Sequence, residues 1–525
     1  MCRAALVALL GFGWTGSALA ETLADAVALA YVNNPGLTRQ RYVQKGRDED
    51  YVQARSQYGP TLTASASGGY TSDRTLGQTV NGNGNQASLS FNQPLYTMGR
   101  LRGQLAAARA EVSAGQEQVR SAEQTTVRDV IIVYASVLRD QARLEVGREN
   151  VAVLRQQLDE NQARRRAGDV TLTDVGQADA RVAAAEAQLA ALEQSLAVSR
   201  SQYLQVVGQN PGTLEPLPDL EGIPATLAEA LQIADQHNPD LAAARYNEQQ
   251  SRAHLASIRG EMGPTISATA EATYSNRLLH IDGRNGRREL SAGLTISQPI
   301  FTSGLIRSRV RQADADNMAD QAGIDDARRT ALQAVASAWS ELAAMRTSLS
   351  VGERQIASAQ LAFAGMQREQ RFGLRSTIDT LNAEQELASA QLNFLANRFT
   401  EYVSRASLLQ AMGTLSARTI ASDVATYDPN ANFKKVRNRG MTPLEPIART
   451  LDKIGSASIH RRPSPALSGE LVPRLDSAPP LPPTPSKKVL QDPLVPITQS
   501  PLITADSLTD DLTPAARKRA RTVPR

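Results

Sequence analysis

The chain has 525 residues, a formal charge of only +4 and 4% aromatic residues. The near-balanced charge gives no footing for nucleic-acid binding, and the shortage of large apolar side chains argues against one thick core and for long, thin helical packing. No segment after the N-terminus offers ~18 consecutive apolar residues, which excludes a transmembrane helix in the mature chain.

The first twenty residues read as an export signal. Arg3 supplies the positive region, Ala4 to Gly13 the apolar stretch, and Ala18-Leu19-Ala20 a small-x-small cleavage site. The only cysteine, Cys2, lies upstream of that site, so disulfides and cysteine-held metals are excluded after cleavage.

Beyond the signal, the chain is written twice. Thr22-Leu23-Ala24-Asp25-Ala26 through Asn34-Pro35-Gly36-Leu37 returns as Thr226-Leu227-Ala228-Glu229-Ala230 through Asn238-Pro239-Asp240-Leu241, an offset of 204. Gly59-Pro60 returns as Gly263-Pro264. After one residue of slippage, Gln93-Pro94-Leu95-Tyr96 returns as Gln298-Pro299-Ile300-Phe301, and the offset of 205 then holds through Gly168/Gly373, Asp174/Asp379 and Ala178/Ala383. A period this long marks a duplicated structural unit, not a solenoid of small repeats.

Two long helices are predicted, from about Arg100 to Arg166 and from about Leu305 to Arg371, each ~100 Å long at 1.5 Å per residue. Gly-containing turns come next at Ala167–Thr171 and Phe372–Ser376, then returning helices over roughly Leu172–Val207 and Thr377–Met412. The returning helices carry seams spaced by three and four: Val182, Ala185, Leu189, Leu192, Leu196, Ser199, Tyr203 and Val206, then Leu392, Leu395, Phe399, Tyr402, Ala406 and Leu409. Such seams favour coiled-coil packing over an ordinary amphipathic bundle.

Four segments show a period of two instead: Thr61–Tyr70, Ala87–Asn92, Thr265–Tyr274 and Leu290–Ser297. One face is mostly apolar, the other Ser, Thr and Asn, and the lengths suit tilted membrane strands. The polar linkers Thr71–Gln86 and Ser275–Glu289 read as long outward-facing loops. Exposed hairpins on a soluble protein are the alternative, but leave the export signal unexplained. Four strands cannot close a barrel and an open edge is not tolerated in lipid, so a membrane reading requires two, three or four chains in a ring.

This layout resembles the TolC-type outer-membrane efflux proteins over approximately residues 21 to 440. The resemblance implies a mainly α fold with a membrane β-barrel, in which each repeat supplies a β-hairpin and a long helical hairpin. It implies a homotrimer, with one shared 12-strand barrel continuing into a periplasmic helical tunnel. Its expected divisions are a signal peptide at 1–20 and a first repeat at 21–220, with strands about 61–72 and 86–96 and helices about 35–58, 98–166 and 172–207. A second repeat at 221–415 has strands about 265–275 and 289–301 and helices about 239–262, 303–371 and 377–412. An equatorial segment covers 416–440, and a Pro-rich tail at 441–525 is expected to be disordered.

The implied partners are a periplasmic adaptor protein, an inner-membrane ABC transporter or other efflux pump, and outer-membrane lipid. Phe372-Gly373-Leu374-Arg375-Ser376 followed by Asp379-Thr380-Leu381-Asn382-Ala383-Glu384 is similar to members serving type I protein secretion. By the same resemblance Asp379 lines the periplasmic aperture in a charge ring, with Asn382 where some members carry a second aspartate. Thr173, Asp174 and Arg375 form the lock that closes the aperture, and Gln370 replaces a tyrosine that assists it in some members. Gly168 and Gly373 mark the adaptor-docking tips. The alternative for Asp174 is a plain helix cap, with Arg375 solvated.

No catalytic constellation is present and no cofactor is implied. The histidines are scattered; His280 with Asp282 is the one hint of a ligand pair, in a predicted surface loop. No phosphate-binding glycine loop occurs, so the energy source belongs to a partner.

Overall fold

A computed structural model describes residues 20–457 and 480–485, apart from 76–77, 279–285, 422–423 and 425. The export signal up to residue 19, His280 and Asp282 lie outside the described residues.

Each repeat opens with a pair of helices broken at an Asn-Pro step. α1 (Leu23–Asn33) gives way to α2 (Pro35–Ser56) at Asn34, whose Oδ1 accepts from the Leu37 amide while its Nδ2 donates to the Val206 carbonyl. The proline has no N–H to lose at the first helical position, and the asparagine caps the new helix. A hairpin comes next, β1 (Thr61–Thr75) and β2 (Gln78–Tyr96), and then the helical hairpin α3 (Arg100–Ala167) and α4 (Leu172–Val207).

The second repeat runs α5 (Leu227–His237), α6 (Pro239–Gly260), β3 (Thr265–Leu278), β4 (Gly286–Ser297), α7 (Leu305–Arg371) and α8 (Thr377–Ala411). Asn238 repeats the break, with Nδ2 donating to the Ala411 carbonyl. Three short helices follow among the described residues: α9 (Ala417–Ile420), α10 (Pro429–Val436) and α11 (Glu445–Leu451).

The strands form one antiparallel sheet in the order β1-β2-β3-β4. Its register lines up like with like: Ala64 faces Leu89, Leu89 faces Ala272 and Ala272 faces Leu290, while on the other face Ser65, Ser88, Thr273 and Glu289 align. Leu62, Leu290, Leu294 and Ile296 are all exposed, which suits a lipid-facing surface and no aqueous one. β1 and β4 are left as open edges in the single chain, so closure needs further copies.

Two expectations are corrected here. The linker Thr71–Gln86 is almost entirely strand, paired from Thr71↔Gly82 to Thr75↔Gln78. β3 and β4 likewise extend into the second linker, pairing as far as Asn276↔Gly286. Backbone ladder bonds form in water as well as in lipid, so the polar composition marks where the hairpins leave the apolar layer, not where the strands end. At the other margin β4 stops at Ser297, because Pro299 cannot donate to a ladder, and Ile300 and Phe301 fall outside the strand.

The expected disorder from residue 441 also fails for part of the tail. α11 packs onto the junction between β2 and α3: Arg55 Nε donates to Glu445 Oε1 at 2.6 Å, with both side chains 4% exposed, and Asp452 is buried. Residues 480–485 are ordered against the middle of the helical tunnel. These contacts join residues hundreds of positions apart, which local composition does not reveal.

The largest apolar cluster is equatorial, where α1, α5 and α9 meet the middles of α3 and α7 and the C-terminal ends of α4 and α8 around Tyr134, Trp339, Tyr203 and Leu408. The predicted seam residues are buried or half-buried in it and in smaller clusters along the hairpins. Core, hairpins and sheet together place the turns α3–α4 and α7–α8 at the end farthest from the sheet.

Candidate functional site at the tunnel tip

Both tips are built from the same local chemistry. α3 ends at Gly168, whose φ of 88° lies in the left-handed region that glycine enters without a Cβ clash, and Gly373 repeats this with φ 74°. The returning helices then start in capping boxes. Thr171 Oγ1 and the Thr171 amide both donate to Asp174 Oδ2, and the Asp174 amide donates back to Thr171 Oγ1. Ser376 and Asp379 form the same box, with the hydroxyl donating at 2.6 Å.

These bonds hold both carboxyls below the ordinary aspartate range. The Thr171 hydroxyl and amide depress Asp174, helped by the charge of Arg164; the Ser376 hydroxyl and amide depress Asp379, helped by Arg375. Both are therefore anionic at neutral pH, at the rim of the tip.

Asp174 is thus a cap, as the plainer expectation held. Arg375 is exposed and donates from Nε to Glu369 Oε2 at 2.8 Å across its own turn, which raises its pKa above the ordinary arginine value. Among the described residues no hydrogen bond or ion pair joins Arg375 to Asp174. Gln370 spans the second turn, its Nε2 donating to Thr377 Oγ1 at 3.3 Å. Thr173 is exposed beside Asp174.

Asn382 makes a cross-repeat contact that sequence reasoning missed. Arg181 of α4 donates from Nη2 to Asn382 Oδ1 of α8 at 2.8 Å and from Nη1 to Gln385 Oε1. The available signal was a lone arginine in the Ala-rich first half of α4, two turns beyond Asp174. Arg181→Ala is expected to leave the fold intact, because an exposed polar contact contributes under about 1 kcal/mol. Amide exchange in the first turns of α4 and α8 should still quicken; unchanged exchange there would remove Arg181 as a tie between the repeats.

Among the described residues no group of His, Cys, Asp and Glu has the makings of a metal site, and no helix is long and apolar enough to cross a membrane. A half-open amphipathic sheet, a duplicated helical tunnel and a charged tip together define one protomer of an outer-membrane channel. The chain belongs to the outer membrane efflux protein family, whose sequence profile matches residues 26–209 and 230–414.

Among its relatives, the outer membrane efflux protein BepC of Brucella suis biovar 1 (strain 1330) is 31% identical, over 83% of this chain and 95% of that protein. The proteases secretion protein PrtF of Dickeya chrysanthemi is 23% identical, over 78% of this chain and 92% of its own. The fold is shared with the crystallised channel CusC at a TM-score of 0.67 and 20% identity, covering 74% of this chain and 92% of that one.

Family channels are homotrimers that work with periplasmic adaptor proteins and with inner-membrane pumps or ABC transporters. The chain is accordingly a non-enzymatic conduit in the outer membrane of a Gram-negative cell, with a large periplasmic part. It serves a tripartite export system.

Proposed function

We propose that this duct conducts passively, carries protein substrates of type I secretion, and is held shut by Arg375 of one protomer bridging the Asp174 carboxylate of the next. Support for the lock comes from the charges at the tip: two anionic caps and the exposed Arg375, with no contact among the described residues joining Arg375 to Asp174. In a trimer each recurs threefold, and a bidentate arginine–carboxylate contact is strong enough to close a ring yet breakable by a docking partner. Asp379 and Asn382 complete the ring, where fixed negative charge favours cations. Gly168 and Gly373, as the most distal turns, offer the adaptor its contact.

Asp174→Asn keeps most of the cap but removes the charge, and Arg375→Ala removes its partner. Both are expected to raise single-channel conductance in planar bilayers roughly severalfold. Glu369→Gln is the control: if it raises conductance as much as Arg375→Ala, the effect comes from the local Glu369 pair and the lock is wrong. Asp379→Asn should lower cation preference without opening the pore.

The cargo assignment rests on the tip sequence from Phe372 to Glu384. Small-molecule efflux is the second reading, favoured by the 31% identity to BepC, an efflux protein by name. A deletion strain separates them: lost secretion with unchanged sensitivity to toxic compounds supports the first, and the reverse supports the second.

A further inference from the structure

Residues 480–485 read Pro-Leu-Pro-Pro-Thr-Pro, and Leu481 to Thr484 close over a groove of about 490 Å³ at the tunnel's waist. One wall of the groove is the linker between the repeats, Asp219 to Pro224; the others are Arg346 of α7 and Arg405 of α8. We propose that this segment is a strap, a proline-rich ligand carried by the chain itself, which binds the groove and ties the second helical hairpin to the inter-repeat linker.

Three observations carry this. First, Arg346 is nearly buried and its Nη1 donates to the Pro482 carbonyl at 3.0 Å, while its Nε donates to Glu401 Oε1 at 3.2 Å. Burial disfavours this guanidinium, lowering its pKa, and the strap carbonyl gives it a second acceptor beside Glu401. Glu401 is shared with Arg405, whose Nη1 reaches Asp219 at 2.8 Å, so one network spans α7, α8, linker and strap. Second, Leu481 packs against the equatorial apolar cluster, anchoring the strap by a side chain as well as by its backbone. Prolines on either side hold that backbone extended before it binds, which reduces the ordering cost.

Third, the first repeat holds a matching groove that the strap does not close over. A cavity of about 400 Å³ is lined by Gln141, Leu144, Leu196 and Arg200. At the offset of 205, Gln141 stands for Arg346 and Leu196 for Glu401, so the carbonyl clamp is missing there. The site was built in one copy by divergence.

The strap can reach from its own chain. α11 ends beside the start of α3, and Arg346 lies forty-one residues down α7, about 60 Å along the helix. Residues 458–479 give a contour length of about 75 Å, which covers that distance.

Hydrogen–deuterium exchange on the full-length trimer tests the proposal with Leu481→Asp, a tail substitution that leaves every helix intact. Exchange across residues 219–225 should quicken by about tenfold or more. A labelled peptide of residues 477–486 should then bind the Leu481→Asp protein saturably and wild type hardly at all, since its own strap holds the Arg346 contact. Adding Arg346→Gln, which copies the first repeat, should weaken that peptide at least fivefold. Unchanged linker exchange in Leu481→Asp, or equal peptide binding to wild type and variant, would overturn the strap.

Discussion

Asp452→Ala is expected to free the barrel–tunnel junction of the first repeat and to destabilise the folded protein by roughly 3–5 kcal/mol, the range for stripping the partner from buried, charge-assisted bonds. Asp452 is 1% exposed and accepts five hydrogen bonds. Its Oδ1 takes the Thr97 amide at 2.7 Å, the Thr97 hydroxyl at 2.8 Å and the Gly99 amide at 3.0 Å; its Oδ2 takes the Arg102 amide and the Tyr58 hydroxyl, each at 3.2 Å.

The junction needs this partner because of its backbone. Met98 and Gly99 are both left-handed, with φ of 53° and 79°, so the strand breaks into α3 through two successive unusual conformations and exposes a cluster of amides. Burial, and then the charge of Asp452, pushes the Tyr58 hydroxyl above its ordinary pKa, so it stays a donor at any physiological pH.

The second repeat provides an internal control. Ser303 and Gly304 make the same left-handed pair, yet among the described residues no carboxylate caps it. Amide exchange in Asp452→Ala should therefore quicken at Thr97, Gly99 and Arg102 and stay as in wild type at Thr302 to Leu305. Unchanged protection at Thr97, Gly99 and Arg102 in the variant would show that α11 decorates the junction without holding it. Arg55→Met should act in the same direction by leaving the buried Glu445 with only its longer contact to Arg449.

Features set by near neighbours in the chain were legible in the sequence. The Asn-Pro breaks, the glycine turns and the period-two strands each depend on residues within a few positions. The duplication lent every one of them a second, independent instance. The hairpin ends misled because polarity reports solvent, whereas strand pairing reports register, which continues through Asn81-Gly82-Asn83 unchanged.

α11 is only seven residues long, and its stability lies in Arg55–Glu445 and in Asp452, more than 340 positions from their partners. The proline segment reads as linker composition, since nothing adjacent to it indicates that the Pro482 carbonyl meets Arg346. At the tip the roles of Asp174 and Asp379 as caps are local and readable, while Arg181–Asn382 depends on how α4 lies against α8.

Glu384→Gln is expected to stabilise the protein above neutral pH and to flatten its stability between about pH 5 and 8. Glu384 lies two residues past Asn382, is 1% exposed, and its Oε1 has no hydrogen-bond partner. Thr380 and Gln391, on the same face of α8, are also buried with side-chain oxygens unpartnered. Burial raises the Glu384 pKa from 4.5 to about 8, opposed only in part by the charge of Arg181.

Because the folded chain holds this proton more tightly than the unfolded chain, the stabilisation is complete below about pH 4.5 and is lost as pH climbs towards 8. The loss amounts to a few kcal/mol on the order-of-magnitude scale set by such a shift. Glutamine keeps the shape and cannot ionise, so its melting temperature should exceed wild type at pH 8.5 and match it near pH 5. Parallel melting curves across that range would show that the carboxyl is not desolvated in the assembled channel. The matching residue of the first repeat, Asp179, is exposed, so this particular pH effect belongs to the hairpin that carries Arg375 and Asp379.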